Sequence, residues 1–187
     1  MSASPAEWLD LHPHPSGQSG SMRRVAASAS QASDGSLTLA YRLEWKAGFL
    51  RLPVVPTAGR HHNLWHHTCV EAFMQAPGEA GYHEFNFSPA GAWAAYRFSA
   101  FREGMQDLPL SRPPVQRIDQ GPEHLLVECN LPPDGLPGEA FRMGLTAILE
   151  DRDGGLHFWA LSHPAARPEF HDQRGFVLHL PHPVADP

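Results

Sequence analysis

The stretch YHEFNFSPAGAWAAYRF, residues 82–98, decides the fold. Two short apolar segments flank SPAG, residues 88–91, and in the first of them Phe85 alternates with Glu84 and Asn86. A two-residue period is typical of a β-strand, and the residue types in SPAG are typical of a turn. The stretch therefore predicts an antiparallel hairpin.

The same alternation recurs along the chain. Its clearest case is LTLAYRLEW, residues 37–45, where every second side chain is large and apolar and a turn at Asp34-Gly35 precedes the segment. Further strands are predicted at residues 23–31, 69–75, 124–131, 141–150, 156–162 and 176–180, and a short helical turn at residues 101–108. Many short strands separated by Gly and Pro favour an all-β fold, a two-sheet antiparallel β-sandwich that is jelly-roll-like and has about nine or ten strands.

Length and composition indicate one folded domain. The chain has 187 residues, of which 42% are hydrophobic and 18% charged, which is enough apolar surface for a real core. We expect a single domain over residues 1–187 with its core at about residues 10–180, followed by PHPVADP (181–187) as a loose tail.

Charge and termini exclude several kinds of partner. Fourteen basic residues face twenty acidic ones and no basic run occurs, so nucleic acid is not expected to bind. The first residues, MSASPAEWLDLHPHPS, lack the features of a signal peptide, and no apolar run is long enough to cross a membrane, which predicts a cytoplasmic protein with no membrane partner. Cys69 and Cys129 are expected to stay reduced. The sequence leaves the oligomeric state open.

A histidine-rich heptapeptide at residues 61–67 invites a metal hypothesis, because imidazole is a common ligand of transition metals. The candidate ligands are His61, His62, His66 and His67. Neither a helix nor a Cys-x-x-Cys motif accompanies them, so the pattern favours a solvated loop with no bound metal.

No common catalytic motif is present. The sequence contains no Gly-x-Ser-x-Gly, His-Glu-x-x-His, Walker or dinucleotide-binding motif. Glu71 and Glu84 could form a glycosidase pair only at a separation that the sequence does not fix. An enzyme whose site has no local motif remains an alternative.

What remains is a set of aromatic and polar side chains suited to a sugar, because flat rings cover its apolar face and directional groups bond its hydroxyls. The set comprises Trp65, Trp93, Trp159, Glu71, Asn86, Arg97 and His163. Each member taken alone has an ordinary packing or ion-pair role as the alternative interpretation.

Strand parity refines this set. Trp93 and Arg97 share one face of their strand, and we expect Tyr96 and Phe98, on the opposite face, to be core. A straight strand from Trp65 to residue 71 would span roughly 20 Å, which is too far for one monosaccharide to contact both side chains. The chain of the histidine-rich heptapeptide is therefore expected to bend back toward residue 71.

Three blocks of sequence resemble a known family. They are LWHHTCVEAFM (64–74), YHEFNFSPAGAWAAYRF (82–98) and FWALSHPAARPEFH (158–171), and in this order they resemble the DOMON-like domains related to carbohydrate-binding module family 9. The resemblance implies a β-sandwich that binds a ligand, typically a sugar, and haem in some other DOMON members.

The resemblance also implies roles for individual residues. It suggests Trp65 and Trp159 as two stacking rings, Glu71 as a hydroxyl acceptor and Arg97 as a donor. The leading prediction is therefore a non-catalytic domain that binds a saccharide or a similar polyhydroxylated small molecule, with no cofactor, and in which Trp65, Glu71, Arg97, Trp159, Asn86 and His163 contact the ligand.

The alternative implied by the same resemblance is a haem-binding domain. Its axial ligands would be drawn from histidine and methionine, such as His83, Met74 or Met105.

Overall fold

The structure, a computed structural model, describes residues 7–17, 20–53 and 55–180. Strands in these residues are β1 (Leu9–Asp10), β2 (His12–Pro13), β3 (Met22–Gln31), β4 (Leu37–Trp45), β5 (Gly59–Arg60), β6 (Cys69–Gln75), β7 (Tyr82–Phe87), β8 (Ala92–Phe98), β9 (Gln106–Asp107), β10 (Val115–Gln120), β11 (His124–Leu131), β12 (Phe141–Glu150), β13 (Leu156–Ala160) and β14 (Leu178–Leu180). Short 3₁₀ turns lie at Leu64–His66, Pro133–Gly135 and Gln173–Gly175. The predicted tail at residues 181–187 lies outside the described residues.

Two sheets form the molecule, as the alternation predicted. The five-stranded sheet has the order β1-β3-β4-β11-β10, and the path of the nine-stranded sheet is β2-β13-β12-β6-β7-β8-β5, with β14 beside β12 and β9 beside β8. Apart from the parallel pair β5–β8, the pairings given for these strands are antiparallel. The expected two-sheet antiparallel β-sandwich is therefore confirmed.

The hairpin that anchored the sequence prediction is present. β7 and β8 pair antiparallel with Phe87 opposite Trp93. The Ser88 amide donates to the Ala92 carbonyl at 2.9 Å and closes the turn, and Gly91 adopts a φ of 96° that favours glycine. β3 and β4 form a second hairpin, with Gln31 opposite Leu37.

Two local predictions fail for identifiable reasons. The predicted helical turn at residues 101–108 is wrong, because Arg102 and Gly104 have left-handed φ values of 54° and 62° and a right-handed helix cannot continue through them. Strand β10 was not predicted because it is a largely exposed edge strand, and burial therefore imposes little apolar pattern on its sequence.

The core between the sheets follows from the alternation in β4. Its odd-numbered side chains, from Leu37 to Trp45, are buried, while the even-numbered ones are partly exposed. They pack against the inner faces of β6, β7 and β12 in one apolar cluster. The Tyr41 hydroxyl donates to the Glu71 carbonyl oxygen at 2.6 Å and so ties the small sheet to the large one.

The large sheet is buried on its outer face as well. Every residue of β6 is buried, whereas β4 on the small sheet alternates. A second apolar cluster covers the outer face, built on Phe73, Tyr82, Ala94, Tyr96, Phe98 and Phe176. Loops packed on this cluster surround the candidate ligand-binding site.

Cys69 and Cys129 are buried free thiols. The described part of the chain contains no helix long and apolar enough to cross a membrane.

The bond between the sheets generates a stability prediction. Replacing Tyr41 by Phe keeps the ring in the core but removes the hydroxyl, and we expect the free energy of unfolding to fall by about 1 to 2 kcal/mol, measured by urea denaturation. The control is Thr38→Val on the same strand, whose hydroxyl is partly exposed and accepts only a 3.3 Å bond from Asn130. It should change stability by less than about 0.5 kcal/mol. Equal effects of the two substitutions would contradict the prediction.

Candidate ligand-binding site

A cavity of ≈ 540 Å³ opens on the outer face of the large sheet. Strands β6, β7 and β12 contribute to its floor, and loops before β6, after β8 and after β13 contribute to its walls. The lining residues are Trp65, His66, Glu71, Phe73, Glu84, Phe98, Arg102, Met105, Ile148, Leu156, Phe158, Pro168, Phe170 and His171.

Trp65 reaches this cavity because the chain bends just before β6. The bend is the 3₁₀ turn Leu64–His66, which follows Asn63 in a left-handed conformation with a φ of 61°. Asparagine tolerates that conformation better than most residues. The Trp65 ring lies edge-on to Tyr96 at 6.0 Å between ring centroids, so the expected fold-back is present and Trp65 lines the same cavity as Glu71.

Aromatic walls stand on two sides of the floor. Trp65 and Phe98 lie over the β8 side, while Phe158 of β13 and Phe170 contact each other edge-on at 6.0 Å on the other side. Four strand spacings separate β8 from β13 in the sheet, which is roughly 19 Å between backbones. Side chains reaching inward from both sides narrow this gap.

Two carboxyl groups lie in the floor. Glu71 on β6 and Glu84 on β7 are only 2% and 4% exposed. They share the outer face because Glu84 pairs with Phe73, two residues along from Glu71. Asn86 donates to Glu84 Oε1 at 2.6 Å, and the Thr146 hydroxyl donates to Glu71 Oε2 at 3.3 Å. Each carboxyl keeps capacity to accept further hydrogen bonds.

Burial changes the protonation of both groups. Loss of hydration raises the pKa of Glu84 to about 7. The pKa of Glu71 is raised well above its usual value, first by burial and then by the neighbouring charge of Glu84. The pair is therefore only partly ionised at neutral pH.

A short hydrogen-bond relay fixes the imidazole of His171. The Arg102 amide donates to the Tyr82 hydroxyl at 3.1 Å, and that hydroxyl lies 2.8 Å from His171 Nδ1. Burial, followed by the Arg102 charge, lowers the pKa of His171 to about 4, so the ring is neutral near pH 7. With Nδ1 accepting the Tyr82 proton, the ring proton lies on Nε2. Nε2 is 3.8 Å from Glu84 Oε2, which is too far for a direct hydrogen bond.

Arg102 also joins two of the cavity walls. Its guanidinium donates three hydrogen bonds of 2.9 to 3.2 Å to the Glu169 carboxylate. Arg102 belongs to the loop after β8, and Glu169 to the loop that carries Phe170 and His171. This ion pair holds the two loops together over the outer face.

The residues predicted from the sequence do not all meet in this cavity. Trp65 and Glu71 line it, and Asn86 is buried beside Glu84. Arg97, Trp159 and His163 are not among its lining residues.

Arg97 and Trp159 lie outside the cavity because the face of the large sheet that carries Trp93 and Trp159 packs against the small sheet, while Tyr96 and Phe98 are buried as expected on the outer face. Trp93 packs in the core between the sheets, whereas Tyr96 and Phe98 belong to the outer cluster. Arg97 has the parity of Trp93 but lies near the strand end, exposed and bonded to Gln106 at 2.7 and 3.2 Å. Trp159 is likewise in the inter-sheet core, and its indole nitrogen is buried with no hydrogen-bond partner among the described residues.

His163 lies at a separate histidine contact. Its Nε2 bonds the His12 carbonyl at 2.8 Å, and its ring is edge-on to His14 at 4.9 Å.

The histidine-rich heptapeptide spreads its side chains. His62 bonds the Tyr96 hydroxyl at 3.0 Å and His67 bonds Glu150 at 2.8 Å, while His66 faces the cavity beside Trp65. All four histidines line a second cavity of ≈ 530 Å³. Within the described residues, no group of three or more His, Cys, Asp or Glu side chains is arranged to hold a metal ion.

The candidate haem ligands lie on different sides of the large sheet. Met74 is buried in the inter-sheet core, and its cross-strand partner His83 bonds the Gly135 carbonyl at 2.9 Å. Met105 is exposed at the rim of the outer cavity.

Several cavity residues were not predicted as ligand contacts. Glu84 was considered only as half of a glycosidase pair, and Arg102 has no local motif around it. Phe158, Phe170 and His171 all fall within the third block, FWALSHPAARPEFH, so a search of that block for aromatic and imidazole groups could have found them.

Comparisons with known proteins show the fold. A crystal structure from Bacteroides uniformis, described provisionally as a carbohydrate-binding protein, matches with a TM-score of 0.71 and 16% identity over 91% of this chain and 84% of that chain. A carbohydrate-binding module of family 9 from Caldicellulosiruptor kristjanssonii, in complex with cellotriose, matches with a TM-score of 0.51 and 10% identity over 83% of this chain and 72% of that one. No family model and no curated protein matches the sequence.

The raised pKa of Glu84 predicts a pH-dependent cost to stability. The folded protein holds this proton to higher pH than the unfolded chain, so stability is lost as the pH rises from the ordinary glutamate pKa of 4.5 through about 7. Relative to wild type, Glu84→Gln should therefore gain on the order of 2 kcal/mol between about pH 5 and pH 8. Urea denaturation across this range measures the gain.

The control for this experiment is Glu128→Gln on the small sheet, where the carboxylate is 44% exposed beside Arg117. Because this carboxylate is partly exposed to water, removing it relieves little burial of charge, and its stability difference from wild type should stay well below that of Glu84→Gln. A difference between Glu84→Gln and wild type that does not change with pH would refute the assignment of a raised pKa.

Proposed function

We propose that the outer cavity binds a saccharide or a similar polyhydroxylated small molecule, as a binding domain with no catalytic step. The observation that carries the proposal is one cavity with aromatic walls on two sides and a floor of partly neutral carboxyl groups. Its volume of ≈ 540 Å³ falls in the range typical of small-molecule sites.

The walls suit the apolar faces of a sugar ring. Trp65, Phe98, Phe158 and Phe170 are flat surfaces that can cover C–H groups and exclude water from them. Trp65 is the largest of these rings, is only partly buried, and lies on a bend rather than within the sheet.

The floor suits hydroxyl groups. A hydroxyl donates one hydrogen bond and accepts others, and the gap between His171 Nε2–H and Glu84 Oε2 offers one donor and one acceptor. Glu71, when protonated, adds a second group that can both donate and accept.

The comparisons agree with this proposal. The structure from B. uniformis is described provisionally as carbohydrate-binding, and the module from C. kristjanssonii holds cellotriose on a similar fold.

Titration calorimetry with a panel of mono- and disaccharides, including glucose and cellobiose, tests the proposal. We expect at least one sugar to bind, and Trp65→Ala to weaken that binding about tenfold or more, because it removes the largest stacking surface. Trp65→Phe keeps a ring and should lose less.

Arg97→Ala is the matched control. This side chain is exposed and bonded to Gln106 outside the cavity, so its removal should leave the affinity unchanged. Absence of binding by every sugar, or equal binding by wild type and Trp65→Ala, would refute the proposed function.

A further inference from the structure

The floor of the cavity holds two buried carboxyl groups without a bonded basic partner among the described residues. Glu71 and Glu84 lie there with Asn86, Thr146 and the Cys69 thiol as their hydrogen-bonding neighbours, all of them neutral groups. No lysine or arginine in the described residues bonds either carboxyl. When the two carboxyls ionise, their negative charge is therefore balanced only by basic side chains that do not bond them.

The two basic side chains near the floor are already committed. The Arg102 guanidinium makes its three hydrogen bonds with Glu169 and acts on the two floor carboxyls only through space, where its charge favours their ionised forms. The His171 ring has its pKa lowered to about 4 and is neutral near pH 7. A cation placed between the two carboxyls would therefore displace no basic side chain that bonds them.

The walls favour a cation as well. The faces of aromatic rings attract a positive charge, most strongly when the site is shielded from water. Trp65, Phe98, Phe158 and Phe170 enclose the space above the two carboxyls. Carboxylates below and aromatic rings around form a site for a small ammonium group.

We propose that the ligand of this cavity is an amino sugar, whose protonated primary amine binds between Glu71 and Glu84 while its hydroxyls contact the rest of the floor. This inference rests on the proposed function and narrows its ligand class. An ammonium group has three donors and no acceptor, which matches two carboxylates that lack a basic partner. The aromatic walls cover the sugar ring, as for a neutral saccharide.

Three neighbouring groups with raised pKa values stay neutral near pH 7. Burial raises the pKa of the Cys69 thiol well above its usual value and raises the pKa of the Tyr82 and Tyr96 hydroxyls to about 12. None of the three therefore adds charge beside the carboxyl pair.

The experiment compares D-glucose, D-glucosamine and N-acetyl-D-glucosamine by titration calorimetry. The amide of the last compound removes the charge but keeps a substituent on the same carbon. At about pH 7 we expect glucosamine to bind about tenfold or more tightly than either neutral sugar. The preference should grow from about pH 5.5 to pH 7, because Glu84, whose pKa is raised to about 7, ionises increasingly toward the upper end of this range while the amine stays protonated.

Glu71→Gln and Glu84→Gln test the two contacts. Glutamine keeps the size and polarity of the side chain without its charge, so the fold is expected to persist and thermal melts will verify it. Each substitution should remove most of the preference for glucosamine over glucose, measured as the ratio of the two affinities in the same variant, and should flatten the pH dependence of that ratio. Glu128→Gln, on the other sheet, is the control and should behave as wild type.

The outcomes separate this inference from the proposed function. Glucosamine binding no tighter than glucose, or a preference that survives both substitutions, overturns the amino-sugar inference and leaves saccharide binding in place. Failure of all three sugars and of the wider panel overturns both.

Discussion

The constraint on which the site depends is that the large sheet is buried on both faces. A strand places alternate side chains on opposite faces of its sheet. Because both faces of β6 are covered, Glu71 on the outer face is buried as completely as Met74 on the inner face. An ionised carboxylate in such a place is costly unless it is paired. The pKa values of Glu71 and Glu84 are accordingly raised, so both groups stay partly protonated near pH 7. Both side chains also line the outer cavity.

Much of the fold could be predicted from local sequence because strand period and turn chemistry are local properties. The alternation at residues 37–45 and the turn at residues 88–91 both correspond to observed elements. Strand β10 was not predicted, because an exposed edge strand needs no regular alternation of apolar side chains. The segment at residues 101–108 was misjudged because the left-handed conformation of Arg102, an ordinary residue, has no local signature.

The site was harder to predict because alternation tells which residues share a face but not which face is the core. On β8, Trp93 and Tyr96 were assigned to opposite faces correctly, and Tyr96 is buried as expected, but Trp93 lies in the core between the sheets and not at the ligand site. Only the partner sheet decides this, and its position depends on contacts distant in sequence. His171 and Tyr82, 89 positions apart, meet for the same reason.

The buried carboxyl pair costs the fold stability when it ionises, and the ligand binding that we propose would account for its presence. The bond that joins the sheets is accepted from Tyr41 by the Glu71 backbone carbonyl, whereas the Glu71 side chain accepts a 3.3 Å bond from the Thr146 hydroxyl. Glutamine at either position would keep a hydrogen-bonding group in the floor without the cost of ionisation. Ionisable groups with shifted pKa values in a cleft are typical of functional sites. Under our proposal, a ligand that supplies positive charge or hydroxyl donors offsets that cost only when it is bound, which links the affinity of the cavity to the same two ionisations that destabilise the empty fold.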